Sequence, residues 1–151
     1  MAGSAYYPSG SIRVPQVGLN NVGSYQVSGR PYASRHDNVA APQEIAFPMV
    51  TQYYEVVNHS TASVRVGYSL VGVSGSNYFI VPSASIGSGP GRSGVQRVKV
   101  SSIWLYCGQA ADSDGGGGKS RVTISAGLTC IDRKKTAGRL GPNWSGSAGV
   151  G

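Results

Sequence analysis

VQRVKVSSIWLYC, residues Val95–Cys107, is the longest unbroken run of β-forming residues in the chain. In its first half, Val98 and Val100 alternate with basic residues, which is the period-two pattern of a strand with one apolar and one wet face. After the serine pair at 101–102, apolar or aromatic residues follow in a row. This switch indicates either a strand end covered on both faces or a β-bulge at the serines. In both cases the strand starts on a basic surface and ends in a core that buries Trp104.

Other segments of the chain have the same β-forming composition. They are Glu44–Asn58, Ser63–Val73, Tyr78–Val81 and Arg121–Leu128. In the last of these segments, Val122, Ile124 and Ala126 share the inward parity, and polar residues share the outward parity. Stretches rich in alanine, leucine and glutamate with a 3.6-residue period are absent from the sequence. The sequence therefore predicts an all-β domain.

The amino-acid composition limits the kinds of partner that the protein can bind. The chain has 151 residues, enough for one domain with a core, and its 13 Lys+Arg against 6 Asp+Glu give a net charge of +7. This excess favours a polyanionic partner, either nucleic acid or an acidic membrane surface. A soluble basic protein with no such partner has the same charge, so charge alone does not choose. No run approaches the ~18 apolar residues of a membrane span.

The cysteines, Cys107 and Cys130, lack the spacing of a zinc site, and no metal or cofactor is predicted. Both lie in apolar strand contexts, so we expect buried free thiols, with a disulfide between neighbouring strands as the alternative. The first residues have neither a charged nor an apolar signal region, so the sequence predicts no secretory signal and no oxidising compartment.

Motifs of catalysis are weak. SDGGGGKS, residues 113–120, lacks the first glycine of a P-loop and precedes a predicted strand rather than a helix. His36 and His59 lie near no obvious nucleophile in the sequence, so we predict no catalytic residues and no enzyme. Asn58 and Asn143 begin N-glycosylation sequons, which we interpret as chance matches.

The chain divides into three predicted segments: an extended N-terminal arm (residues 1–43), a β-sandwich domain (44–132) and a basic, then Gly/Ser-rich C-terminal segment (133–151). The arm contains scattered tyrosines, which are unusual in a solvated tail, so we expect it to gain order by lying on another subunit. A flexible tail is the alternative. The predicted subunit-contact residues are Tyr6, Tyr7, Tyr25, Tyr32 and Trp144.

Cations on the polar parity of strands, together with a C-terminal cluster, form the candidate nucleic-acid site. Such groups neutralise phosphates without reading sequence, although cations on a strand face also serve solubility alone. If their strands share a sheet, the strand cations lie on one face. The predicted nucleic-acid-binding residues are Arg65, Arg97, Lys99, Arg121, Arg133, Lys134, Lys135 and Arg139.

A succession of features runs from Tyr68 to Asp132. It comprises Tyr68-Ser69-Leu70, the segment Phe79–Pro82, RVKVSSIWLYC (Arg97–Cys107), a polar glycine-rich loop and RVTISAGL (Arg121–Leu128). This succession resembles the single jelly-roll coat proteins of small icosahedral viruses, which include tombusvirus-like RNA viruses and related small single-stranded DNA viruses. The resemblance implies an antiparallel β-sandwich with eight strands in two sheets. The sequence itself shows five clear strands and one or two weak ones.

The resemblance also implies a function. The expected protein is a coat subunit that assembles with itself into a shell around nucleic acid, single-stranded and bound independently of sequence, and its location is the virion. The arm contains few cations (Arg13, Arg30 and Arg35), so the expected nucleic-acid contact moves to the C-terminal cluster. The alternatives are a subunit of an extracellular or surface filament assembled by strand exchange, and a carbohydrate-binding sandwich that stacks sugars on Trp144 or the tyrosines.

Overall fold

The computed structural model of the protein describes residues 17–24, 29–108 and 120–151. Within these residues the chain forms eight strands, a short α-helix and two short 3-10 helices. The strands are β1 (Arg30–Asp37), β2 (Gln43–Ala46), β3 (Thr51–Asn58), β4 (Val64–Gly67), β5 (Tyr78–Val81), β6 (Gly91–Arg92), β7 (Ser102–Tyr106) and β8 (Arg121–Leu128). The helix α1 covers Leu70–Ser74, and the 3-10 helices cover Val22–Ser24 and Arg133–Thr136.

The strands form two antiparallel sheets of four. The β1 sheet has the order β1-β8-β3-β6, and the β2 sheet has the order β2-β7-β4-β5. Strand pairs β1·β8, β2·β7, β3·β6 and β4·β5 are all antiparallel. The chain can therefore be described as one long hairpin, in which the first four strands pair in reverse order with the last four. Successive pairs of this hairpin belong alternately to the β1 sheet and the β2 sheet. This order is that of an eight-stranded jelly roll, and the predicted all-β antiparallel sandwich is confirmed.

The core lies between the inward faces of the two sheets. Val56 and Ile124 of the β1 sheet and Val66 and Leu105 of the β2 sheet are essentially inaccessible to solvent, as is Phe47 in the β2–β3 connection. In β8 the predicted parity is confirmed, because its even-numbered residues from 122 to 128 are buried and belong to this core. Burial of these branched and aromatic side chains is the main stabilising term of the fold.

The central run at 95–107 is only partly a strand. β7 begins at Ser102, and the residues before it run beside β3, where the Thr51 hydroxyl donates to the Val98 carbonyl (2.8 Å). The inward parity changes at the serines: Val98 and Val100 pack on the core before them, Ile103 and Leu105 face it after them, and Trp104 lies partly buried on the outer face. The prediction of a buried Trp104 is therefore wrong, because within β7 the apolar row alternates between the two faces of the sheet.

The predicted strand at Ser63–Val73 is two elements. β4 ends at Gly67, and Ser69 then caps α1 by accepting a hydrogen bond from the Gly72 amide (2.9 Å). The cap satisfies an amide that has no partner in the first turn of a helix. Val73 of this helix packs on Gly67, at the outer face of the β2 sheet.

The sandwich begins earlier than the sequence predicted. The predicted arm at 1–43 contains β1, which pairs with β8 along its full length from Arg30 to Asp37. Val39, also within that segment, is fully buried in the core. The predicted strand region at Glu44–Asn58 is divided between β2 and β3, which lie in different sheets.

The C-terminal segment packs on the domain. Thr136, Asn143 and Ser145 are buried. Asn143 accepts a hydrogen bond from the Ser101 amide (2.7 Å), and its own amide group donates to the Ser102 carbonyl and hydroxyl. The Thr136 hydroxyl donates to the Ser101 hydroxyl (2.8 Å). Residues 136–145 are therefore fixed over the start of β7, where the sequence predicted a Gly/Ser tail.

Candidate nucleic-acid interface

The C-terminal cations stand on an anchored turn. Asp132 caps the 3-10 helix by accepting a hydrogen bond from the Lys134 amide (2.8 Å), and buried Thr136 ties its end to Ser101. Arg133, Lys134 and Lys135 within the turn are exposed. Their backbone is thus held against the sandwich while their charged groups remain in solvent, and Arg139 nearby is exposed as well.

Two clefts border this cluster. One, of about 510 Å³, lies between the β2–β3 connection at Pro48, the serine before β7 and the C-terminal segment, and it is lined by Arg133 and Lys134. The other, of about 750 Å³, is formed by residues 17–22 together with Lys135. Three of the four cations therefore line concave surfaces, and Asp132 shares the first cleft with Arg133 and Lys134.

Two of the four carboxylates in the described ranges, Asp37 and Glu55, pair with cations outside the C-terminal cluster. Arg35 and Arg121 contact Asp37 at 3.2 and 3.3 Å, and Arg92 contacts Glu55 at 3.4 Å. Hydrogen bonding from Arg35, with the charges of both arginines, lowers the pKa of Asp37 below its ordinary value, although its modest desolvation opposes this. Among residues 17–24, 29–108 and 120–151, the four C-terminal cations form no ion pair, so their charge stays available to a partner.

The strand cations do not share one face. Arg65 lies in β4 of the β2 sheet and Arg121 in β8 of the β1 sheet, so the sandwich separates them. Arg97 and Lys99 precede β7, in the segment that runs beside β3. The single cationic face that the sequence allowed is absent from the described structure, whereas Arg133, Lys134 and Lys135 share one 3-10 turn.

The predicted subunit-contact residues have different positions. Tyr6, Tyr7 and Tyr25 lie outside the described residues. Tyr32 is on the inward parity of β1, and its ring contacts Phe47 edge-to-face with centroids 5.1 Å apart, so it supports the core of its own domain. Trp144 is 38% exposed. A contact between subunits through these residues stays a prediction.

Sequence reasoning missed the surroundings of Arg65. Its guanidinium carbon lies 4.5 Å from the ring centroid of Tyr78 and 5.6 Å from that of Tyr106. These distances are typical of cation–π contacts. The sequence showed Tyr106 only as the end of an apolar row, and its pairing with Arg65 depends on the register between β4 and β7.

The asparagines of both sequons are buried, and the two cysteines differ in exposure. The Asn58 and Asn143 amide groups are buried and donate to backbone carbonyls, so neither sequon is accessible to glycosylation. Cys107 and Cys130 are not joined in a disulfide. Cys107 is buried as predicted, whereas Cys130 is exposed, so the prediction of burial is wrong for the second cysteine.

Histidines in the described residues contact hydroxyl groups. His36 lies 3.0 Å from the Ser34 hydroxyl and His59 lies 3.0 Å from the Thr123 hydroxyl. Partial burial lowers the pKa of His36, against the opposing charge of Asp37. Within the described ranges, no group of three or more His, Cys, Asp or Glu side chains is arranged to hold a metal ion.

The helices of the described chain include none long and apolar enough to cross a membrane. Comparison of the chain with protein-family models, with curated proteins and with solved structures returned no match.

Proposed function

We propose that this protein is a viral coat subunit that assembles with itself into a closed shell around single-stranded nucleic acid. The observation that carries the proposal is the exposed cluster Arg133, Lys134, Lys135 and Arg139, fixed at one end of a jelly roll and unpaired with carboxylates of the described residues. A fold alone does not define a function, because jelly rolls also occur in lectins and other proteins. The cationic cluster supplies the chemistry that favours a nucleic-acid-binding coat subunit over the other functions of this fold.

The cluster suits a polyanion bound without sequence preference. Its cations contact phosphates as charges on flexible side chains, and the clefts beside them are open to a backbone of any sequence. Many copies of a subunit with a net charge of +7 repel one another in a shell unless a polyanion lies between them. Nucleic acid therefore supports assembly as well as filling the shell.

Exposed apolar groups support contacts between subunits. Ile86 is fully exposed at the tip of a turn closed by a bridge between Ser85 and Gly89. β1 is an edge strand of eight residues, and its outer side pairs with no other strand of the described chain. Exposed apolar side chains and long open edges are features that proteins usually cover or use for association.

The test combines assembly with salt dependence. Purified protein mixed with single-stranded oligonucleotide should form closed particles by negative-stain microscopy, and its binding should weaken with salt. Changing all four C-terminal cations to glutamine should reduce the slope of log K against log salt by roughly 0.7 for each phosphate that is no longer neutralised.

A control variant carries Arg35→Gln and Arg92→Gln, two cations that already pair with carboxylates. Its slope should stay close to that of the wild type. A wild-type protein that binds no single-stranded nucleic acid would overturn the proposal. Fibres in place of closed particles would favour the filament, and an unchanged slope in the fourfold variant would remove the cluster from the interface.

A further inference from the structure

The outer face of the β2 sheet is half covered and half open. Its covered half carries α1, which packs on Gly67, and the C-terminal segment, in which Asn143 binds the start of β7. The open half carries the outward side chains that the register of β5, β4 and β7 brings together. They are Tyr78, Ile80, Arg65 and Tyr106.

Arg65 is the centre of this open half. It is directly opposite Tyr106 on one neighbouring strand and Ile80 on the other, and Tyr78 lies one outward position further along β5. Its guanidinium carbon lies over the Tyr78 ring, 4.5 Å from the ring centroid. The same carbon lies 5.6 Å from the ring centroid of Tyr106. Ile80 beside it is 59% exposed. We call these four residues the Arg65 platform.

The charge of the platform is not neutralised locally. Arg65 forms no ion pair with any carboxylate among the described residues, whereas the paired arginines Arg35, Arg92 and Arg121 all lie in the other sheet. Two tyrosine rings hold the guanidinium by cation–π contacts and limit its rotamers. The result is a partly exposed guanidinium that two aromatic rings orient before any ligand arrives.

Such a surface matches a ligand that is both planar and anionic. Guanidinium planes and tyrosine rings stack on unpaired bases, and guanidinium N–H groups donate to phosphate oxygens. Neutral sugars stack on aromatic rings too, but an unneutralised arginine offers them no charge complementarity. We infer that the Arg65 platform binds unpaired bases of single-stranded nucleic acid by stacking; this inference rests on the proposed function and adds a second contact to it.

The platform and the C-terminal cations flank the same strand. Ser101, which lines the cleft of Arg133 and Lys134, directly precedes β7, and Tyr106 ends β7. From residue 102 to residue 106 a strand advances roughly 13 Å. One short single strand can therefore place a phosphate at the cluster and a base at the platform.

The test separates stacking from charge by using two probes. These are an oligothymidylate and an abasic oligonucleotide of equal length, which share a phosphate backbone but differ in bases. The variant Arg65→Lys keeps the charge and removes the plane, and Tyr78→Leu keeps the bulk and removes the ring. Each variant should bind oligothymidylate more weakly on the order of tenfold, while its affinity for the abasic probe should change by less than about twofold.

Arg92→Gln is the matched control, because it removes an exposed cation from the other sheet and should affect both probes equally and weakly. Equal losses on both probes by the Arg65 variant would overturn the stacking role, as would no loss on either. Wild-type binding of a neutral maltohexaose that Tyr78→Leu abolishes would overturn the choice of nucleic acid. Failure of the proposed function looks different, because wild-type protein would then bind neither oligonucleotide.

Discussion

At the scale of single residues, Asn143 fixes the position of the C-terminal segment against the start of β7. Its backbone is in the left-handed region, with φ of 55°, where asparagine is tolerated better than most side chains. Its side chain is fully buried and links both serines before and at the start of β7. One residue thus fixes the chain direction and satisfies buried polar groups that would otherwise lack partners.

Asn143→Ala should destabilise the protein by about 3 kcal/mol, since buried groups at Ser101 and Ser102 lose their partner and alanine is strained at positive φ. Asn143→Gly should recover part of this loss, on the order of 1 kcal/mol, because glycine accepts that conformation. Urea unfolding measures both changes. Exposed Asn20→Ala is the control and should stay within about 0.5 kcal/mol of wild type. Equal stability of the Ala variant and wild type would contradict the role of this network.

At the scale of elements, a close contact between two segments of the chain determines whether β6 can form. β6 is only two residues long, and it joins the edge of β3 opposite Val57 and Asn58. A Cβ at Gly91 would overlap the carbonyl oxygen of Pro82, which also accepts a hydrogen bond from Asn58. Glycine at this position therefore allows β6 to reach its sheet past the end of β5.

Gly91→Ala should cost about 2 kcal/mol, because the added methyl group forces either β6 or the Pro82 carbonyl to shift. The comparison is Gly29→Ala just before β1, where an added Cβ meets nothing within 4 Å and should change stability by less than about 0.5 kcal/mol. Thermal and urea unfolding measure both variants. Similar stabilities for the two would show that the contact at Gly91 relaxes without cost.

At the scale of the whole molecule, the rolled hairpin makes the N-terminal and C-terminal strands depend on each other. β1 is paired with β8 from Arg30↔Leu128 to Asp37↔Arg121. Just beyond β1, the Val39 amide donates to the Ser120 hydroxyl (2.8 Å). Contacts between such distant parts of the chain unfold together, so β1 is part of one cooperative unit with β8.

Two truncations test this dependence. Deleting residues 1–28 removes chain up to the start of β1 and should leave a cooperative thermal transition followed by circular dichroism. Deleting residues 1–40 also removes β1 and buried Val39, so it should abolish that transition. Retention of an unchanged transition after the longer deletion would show that β1 contributes little to the sandwich.

The sequence by itself determined the local conformations that depend on nearest neighbours. Period-two alternation identified Arg121–Leu128 as a strand with its correct parity, and the apolar run before Pro82 identified β5 with its correct bounds. It also placed the exposed cations after Asp132. Side-chain polarity in alternating positions carries this information directly, because a strand with one buried face cannot slip by one residue without exposing its core.

Only the tertiary structure decided which strands are neighbours. It placed Arg65 and Arg121 in opposite sheets, made residues 30–37 a strand rather than an arm, and buried Asn143 in an apparent tail. The partners concerned are many residues apart: Arg30 pairs with Leu128, and Asn143 binds Ser101. Local polarity does not encode such pairings, since they depend on the free energy of the whole assembled core and on backbone groups that are alike in every residue.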